Sequence, residues 1–301
     1  MSEVRVLSPA KINLLLEILG RRRDGYHEIR TLIQLVDLFD EILFERLEEG
    51  VELRVFGLSD HVPKDQDNLV LGAARLLFKE MGTSGGVSIT LYKRIPSAAG
   101  LGGGSSNAAA TLWGLKILFG FPISKARLRE LALSLGSDVP FFFSSGCAFG
   151  EGRGELLKEV RLPCKPVVII YPGFGVSSGW AYERKKLKLT KRGKKDNLKR
   201  LYYESSLEEL PPFSVNELEE VVAEKYPLIR DLKRALLNSG ARLALMSGSG
   251  SSVYGLFDDR TKAAEAARYW RAQNYWVHEG KTLDFNPLIA EEGKVSNGAF
   301  S

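Results

Sequence analysis

Five stretches of this chain hold residues whose types and spacing could do chemistry, and the most informative is a run of glycines. Ile95-Pro96-Ser97-Ala98-Ala99-Gly100-Leu101-Gly102-Gly103-Gly104-Ser105-Ser106-Asn107 places four glycines within five residues. Glycine loses more backbone freedom on folding than any other residue, so such a cluster needs a reason. Backbone N–H groups that must converge on an anion without Cβ interference are one reason; a flexible hinge or tight turn is the plainer one. The run feeds Ser105–Phe119, rich in Ala and Leu, which is read as a helix opened by serines. A helix N-terminus offers unpaired N–H groups and a dipole that favours negative charge by ~1 kcal/mol. No Lys-Ser/Thr pair follows the glycines, so this is not a Walker A loop. No acidic residue closes a following βαβ unit, as a dinucleotide fingerprint would need.

The other four are shorter. Ser8-Pro9-Ala10-Lys11-Ile12-Asn13 sets a lysine inside an apolar strand. Burying an unpaired ammonium is costly, so Lys11 either faces solvent or has a carboxylate or phosphate partner. Gly136-Ser137-Asp138-Val139-Pro140-Phe141 puts Asp138 just before an apolar segment, Phe141–Phe143, expected to be a strand. There a carboxylate is either a cap or an acceptor in a cleft. Arg23-Asp24-Gly25-Tyr26-His27-Glu28 reads as a loop whose Tyr-His pair is either structural or turned toward a ligand. Ser247-Gly248-Ser249-Gly250-Ser251-Ser252 is either a plain hairpin connection or a second small-residue loop packed on the first.

The elements that must carry these residues follow from periodicity and breakers. Residues 4–19 suggest two strands separated at Ser8-Pro9, and 41–56 two short strands around a Glu48-Glu49-Gly50 turn. Asn68–Met81 has apolar residues at helical spacing, Val87–Leu91 alternates like a strand, and Ser124–Leu135 is amphipathic. Pro163–Pro166 marks a boundary. Beyond it come a buried strand (Val167–Tyr171), helices at Asn216–Ala223 and Leu228–Asn238, strands at Leu243–Met246 and Val253–Phe257, a helix at Arg260–Gln273 and a strand at Tyr275–Glu279. Strands and helices mix without strict alternation, which favours an α+β fold over a doubly wound sheet.

Composition narrows the function classes. The 301 residues are 44% hydrophobic and 26% charged, so the chain can bury a core and is not of disordered type. The net charge of +5 comes largely from Arg184–Arg200, which contains Arg184, Lys185, Lys186, Lys188, Lys191, Arg192, Lys194, Lys195, Lys199 and Arg200. Aromatics are not interleaved through it as a base-stacking surface needs, so it is either a solvated face or a contact with an anionic ligand. Cys147 and Cys164 have no CxxC spacing, and a reduced cytoplasmic setting fits. The first residues, MSEVRVLSPAKINLLL, lack a signal peptide's order, and the longest apolar runs are strand-sized, so no membrane span is expected.

Read together, the motifs resemble the GHMP kinase superfamily. SPAKINL resembles its first motif, PSAAGLGGGSS its second (the ATP-phosphate loop) and SGSGSSVY its third. The likeness is closer still, through AKINL, RDGYHEI, GLGGGSSNAAATL, LGSDVPFF and GSGSSV, to the branch that uses ATP to phosphorylate the 2-hydroxyl of 4-diphosphocytidyl-2-C-methyl-D-erythritol in the non-mevalonate isoprenoid pathway. It runs from about residue 5 to residue 290.

The resemblance implies a two-domain fold: residues 1–162 like domain 2 of ribosomal protein S5, residues 163–290 ferredoxin-like, and a polar tail at 291–301. It implies Asp138 as the base that accepts the hydroxyl proton and Lys11 as its partner. ATP would be held by Asn68, Lys93, Pro96, Ala98, Ala99, Gly100, Leu101, Gly102, Gly103, Gly104, Ser105 and Ser106, with Mg²⁺ on Ser105 or Ser106. The substrate would meet Asn13, Tyr26, His27, Ser178, Tyr182, Gly248 and Ser249, with Tyr26, His27 and Tyr182 around the cytosine. Ile33 stands where some members carry an aromatic beside that base. The implied partner is a small molecule, without nucleic acid or membrane, for a monomer or homodimer. Two rivals remain on the sequence: a GHMP kinase for homoserine or mevalonate, and a non-catalytic nucleotide- or RNA-binding protein suggested by the basic stretch.

Overall fold

The computed structural model describes residues 2–58, 62, 67–83, 85–185 and 214–289. Most of the basic stretch, from residue 186 onward, and the tail at 291–301 lie outside the described residues.

The organising element is a long antiparallel hairpin of β1 (Glu3–Arg21) and β2 (His27–Leu47). β1 is a single strand, not two. Pro9 does not end it, because β2 is the one named strand that β1 pairs with and a register shift at Pro9/Ala10 absorbs the missing N–H. The segment expected near residue 41 is likewise the end of β2. Tyr26 lies in the tight turn at the hairpin tip and His27 opens the returning strand. Around β2 the sheet adds β3 (Val51–Gly57), β4 (Gly86–Lys93), β5 (Cys147–Glu151) and β6 (Leu156–Glu159), in the order β3-β4-β2-β5-β6 with β1 also on β2.

Three helices cover one face: α1 (Leu69–Met81), α2 (Gly103–Phe119) and α3 (Lys125–Leu135). α2 is buried nearly all round, and its Ala108-Ala109-Ala110 run lets it lie close to the sheet. Its N-cap is Gly102 in the left-handed conformation (φ 72°), not a serine, and Ser105 and Ser106 fall inside the first turn. α1 begins at Asn68, whose side chain accepts from the Val70 N–H, an ordinary N-cap. Phe141–Phe143 belongs to a 3₁₀ helix, Val139–Phe143, rather than a strand. Pro140 in the first turn sets a helical φ, and a short apolar run carries no period to distinguish the two.

The second sheet contains β7 (Pro166–Tyr171), β8 (Leu243–Met246), β9 (Val253–Leu256) and β10 (Trp276–Lys281), in the order β10-β7-β9-β8 with every pair antiparallel. Its helices are α4 (Ser178–Arg184), α5 (Glu219–Lys225), α6 (Leu228–Asn238) and α7 (Arg260–Ala272). The order 4-1-3-2 of these strands is that of a ferredoxin-like split βαβ. α5 starts three residues later than expected, because Asn216 is taken into a bridge with Leu16 of β1. One face of this sheet packs on the β1–β2 hairpin through Ala10, Ile12, Leu14, Val167, Ile169 and Tyr254. The two halves therefore share a core, and the cleft between them is lined from both.

Candidate active site

The glycine loop is held by its carbonyls. Ala98 O accepts from Val176 N, Ala99 O from Ser252 N, Leu101 O from Lys11 N and Gly102 O from Ser106 N. Gly100 O accepts from both the Lys11 ammonium (3.0 Å) and the Ser247 hydroxyl (2.9 Å). The partners come from β1, from α2 and from the second half of the chain. Among the described residues, no N–H of residues 100–105 has an acceptor in hydrogen-bond geometry. The loop lines the cavity with its 98–102 carbonyls engaged elsewhere, which leaves these amides free to bind a polyanion. Gly100 sits at φ +76°, and a Cβ there would be driven into the Ser247 carbonyl oxygen. The Ser247–Ser252 loop is thus packed on the first, and Asn216 fixes it by donating to Met246 O (2.8 Å) and Gly248 O (2.7 Å).

Lys11 lies beside this loop, 3% exposed. Its ammonium donates to Asn13 Oδ1 (2.6 Å) and Gly100 O and stands 3.8 Å from Asp138 Oδ2. Asn13 is itself oriented, donating to Thr31 Oγ1 (2.9 Å), which donates to Leu15 O (2.7 Å). Burial pushes the Lys11 pKa down, and the Asp138 carboxylate works against that shift. The Asp138 side chain is 47% exposed and makes no capping bond to the 3₁₀ helix it precedes. It is thus not a cap of that helix, and it lies on the cavity wall. A buried cation beside a carboxylate that opens into a cavity can bind and deprotonate a hydroxyl.

The far end of the cleft is aromatic. His27 and Tyr182 stack with ring centroids 5.1 Å apart at 27°. Tyr26 is 53% exposed, with the Arg153 guanidinium 4.6 Å over its ring. Burial, aided by Arg21, lowers the His27 pKa, so the imidazole stays neutral near pH 7. Burial and the nearby Asp138 raise the Tyr182 pKa, so its hydroxyl stays protonated. Ser178 and Ser249 exchange a 2.9 Å hydrogen bond across the cleft floor.

These parts line one cavity of about 990 Å³. It gathers the sequence-predicted Lys11, Asn13, Tyr26, His27, Asn68, Lys93, Pro96, Ala98–Ser105, Asp138, Ser178, Tyr182, Gly248 and Ser249, together with Ile33. One expectation needs correcting, and a second gains a detail. Ser106 is fully buried and its hydroxyl accepts from Ser8 Oγ (2.7 Å), so Ser105 alone of the pair faces the cavity. Lys93 reaches the cavity wall, but its ammonium is buried against Asp40 (2.5 Å) and Ile95 O (2.8 Å).

Sequence reasoning missed Asp40 and Arg153. Asp40 sits in an ordinary strand, and Arg153 in a charged turn with no motif around it. Among the described residues no three His, Cys, Asp or Glu side chains gather into a metal cage. A divalent cation shared with a polyphosphate needs only one or two protein oxygens, which Asp138 and Ser105 could supply.

The comparisons with known proteins show the family and the fold. Residues 68–146 match the model for the GHMP kinases N terminal domain and residues 187–275 that for the GHMP kinases C terminal. The chain is 42% identical over 271 residues to the 4-diphosphocytidyl-2-C-methyl-D-erythritol kinase of Syntrophotalea carbinolica, covering 90% of this chain and 95% of that one. A crystal structure of 4-(cytidine 5'-diphospho)-2C-methyl-D-erythritol kinase superposes with a TM-score of 0.75 at 34% identity, covering 92% of this chain and 98% of the other. Homoserine kinase from Cytophaga hutchinsonii superposes with a TM-score of 0.69 at 18% identity, covering 95% and 96%, a likeness of fold alone.

Proposed function

The chain belongs to the 4-diphosphocytidyl-2-C-methyl-D-erythritol kinase family of the GHMP kinases, and from that premise we propose how its residues divide the work. It transfers the γ-phosphoryl group of ATP to the 2-hydroxyl of 4-diphosphocytidyl-2-C-methyl-D-erythritol, a step of non-mevalonate isoprenoid synthesis. The observation that carries the site assignment is the Lys11–Asp138 pair, 3.8 Å apart, where the amide-lined loop meets the aromatic end of one cavity.

Asp138 accepts the proton of the 2-hydroxyl as its oxygen attacks the γ-phosphorus. The bond from that phosphorus to the bridging oxygen breaks and ADP leaves. Lys11, fixed by Asn13 and Gly100 O, orients the carboxylate and the attacking oxygen. The amides of residues 100–105 hold the polyphosphate, and the α2 N-terminus favours its charge. Phosphoryl transfer asks the protein mainly for positioning and charge stabilisation. Mg²⁺, when bound with the nucleotide, supplies neutralisation of phosphate charge; Asp138 and Ser105 are the side chains that would reach it.

Tyr182 and Tyr26 offer ring faces to the cytosine, and neutral His27 offers a donor and an acceptor to its polar edge. Ile33 gives that pocket an aliphatic wall where an aromatic would stack. We assign the reaction to a cytoplasmic enzyme, with residues 1–162 and 163–290 as its two domains.

The test is turnover with ATP of the cytidyl diphosphate substrate against homoserine and mevalonate. The cytidyl compound should be preferred by orders of magnitude in kcat/KM. Preference for either simple alcohol overturns the substrate assignment, since neither has a base for Tyr26, His27 and Tyr182.

A further inference from the structure

Directly beneath the glycine loop lies a buried polar network that no step above uses. Asp40, near the middle of β2, is fully buried. Its Oδ1 accepts from the backbone N–H of Arg94 (2.7 Å) and of Ile95 (2.8 Å). Its Oδ2 accepts from the Lys93 ammonium (2.5 Å) and from Asn107 Nδ2 (2.9 Å). Asn107, in the first turns of α2, also donates to Ser8 Oγ (2.9 Å), and Ser8 donates to Ser106 Oγ. Lys93 packs against the first residue of that helix: a Cβ on Gly103 would lie 2.9 Å from Nζ. One carboxylate thus grips both ends of the loop, the strand exit at 93–95 and the helix entry at 103–107.

Fold stability alone does not call for this arrangement. A buried ion pair is often no better for stability than apolar residues of the same volume. What the pair adds is direction. Four donors converge on one carboxylate from fixed angles, so neither loop end can slide or rotate without leaving a buried polar group unpaired. The loop between those ends must hold its amides ready for a polyphosphate, and a displacement of ~1 Å in such a site costs ~10²-fold in rate.

We propose that Asp40, acting through Lys93 and Asn107, is a positioning residue that fixes the nucleotide loop. Lys93 therefore serves ATP from behind the loop and does not contact it through its ammonium. The proposal rests on the kinase reading above for the identity of the loop's ligand, but its geometry is independent of which alcohol is phosphorylated.

The experiment compares wild type, Asn107→Ala and the double variant Asp40→Asn/Lys93→Met by ADP titration calorimetry, by thermal melting and by steady-state kinetics. Asp40→Asn alone would strand the Lys93 ammonium in the core, so the double variant, which removes both charges, keeps the test open. Asn107→Ala severs only the link to α2. Both variants should fold, bind ADP roughly 10-fold more weakly and raise KM for ATP to match. KM for the acceptor alcohol should stay within twofold of wild type. A lowered melting temperature with ADP affinity and KM for ATP within twofold of wild type overturns the proposal, since that is the result of a purely structural network. The ADP titration uses no acceptor, so a wrong alcohol would sink the substrate assignment and leave this result standing.

Discussion

The two ends of the cleft are built on different principles. At the phosphate end the working groups are backbone amides and a buried lysine. Each carbonyl of residues 98–102 has a named acceptor role, and a buried carboxylate lies behind the loop. At the base end the working groups are rings. His27 leans on Tyr182, Tyr26 is half exposed, and its neighbour Arg153 touches it through the ring face. In the proposed function the first end meets an anion whose shape never varies and gains from rigidity, because charge stabilisation in the transition state requires dipoles already in place. The second, in the same proposal, meets a flat base, which stacking tolerates over a range of offsets. Substitutions at the phosphate end should therefore strike kcat and ATP, and those at the base end the KM of one substrate only.

The sharpest way to break that division is at Asp138. Asp138→Asn should lower kcat roughly 10²–10⁴-fold while both KM values change little, measured by steady-state turnover. A near-normal kcat would remove the base from the mechanism. Gly100→Ala should follow with about 10²-fold in kcat/KM for ATP. The new Cβ meets Ser247 O at a φ that side chains rarely adopt, so the loop must shift as a whole. If acceptor KM rises instead of ATP KM, the loop serves the other substrate.

Which of these residues could be read from sequence follows from the same contrast. Lys11, Asp138 and the glycines carry local signals: a cation in an apolar strand, a carboxylate in a turn, a costly run of glycines. Asp40 has none. It lies in Val36-Asp37-Leu38-Phe39-Asp40-Glu41, and only the register of β2 against β4 brings it to Lys93 and the Arg94 and Ile95 amides, more than 50 residues on. Pro9 suggests a break because a proline interrupts most strands, and the structure keeps the strand whole because no second named strand pairs along that edge. Tyr26 and His27 were legible as a pair. Their supports, Arg153 and Tyr182, arrive from a hairpin turn and a short helix that no local pattern links to them.

Raising the pH tests the phosphate end without a mutation. Burial lowers the Lys11 pKa below 10.5, so its charge is lost at a lower pH than an ordinary lysine's. If the ammonium is required, kcat should fall on the alkaline side by about tenfold per unit once that pKa is passed. Unfolding can be separated from this effect. In that window the unfolded lysine holds more proton than the folded one, so this group makes stability rise with pH. A rate that falls while the melting temperature holds identifies titration. A flat profile up to pH 10.5 means that the working complex keeps the ammonium charged or does not need its charge. At the base end, Tyr182→Ala should raise the acceptor KM about tenfold, the lower part of the range for losing one stacked base, and leave KM for ATP unchanged.

The smallest expected effect is at Arg153, and it probes how far the base end depends on support. The guanidinium covers one face of the Tyr26 ring and lies 3.6 Å from Glu155 Oε1, so it braces a side chain that is otherwise half in water. An exposed cation–π contact is worth about 0.5–1 kcal/mol, or roughly two- to fivefold in binding. Arg153→Ala should raise the acceptor KM by that factor with kcat and KM for ATP unchanged, and Arg153→Lys should recover part of it. Titrations with cytidine and with cytidine diphosphate distinguish the route. A brace for Tyr26 weakens both ligands equally, because both present the same ring. A loss confined to the diphosphate would make Arg153 an anion contact, and the base end would then share the electrostatic logic of the glycine loop.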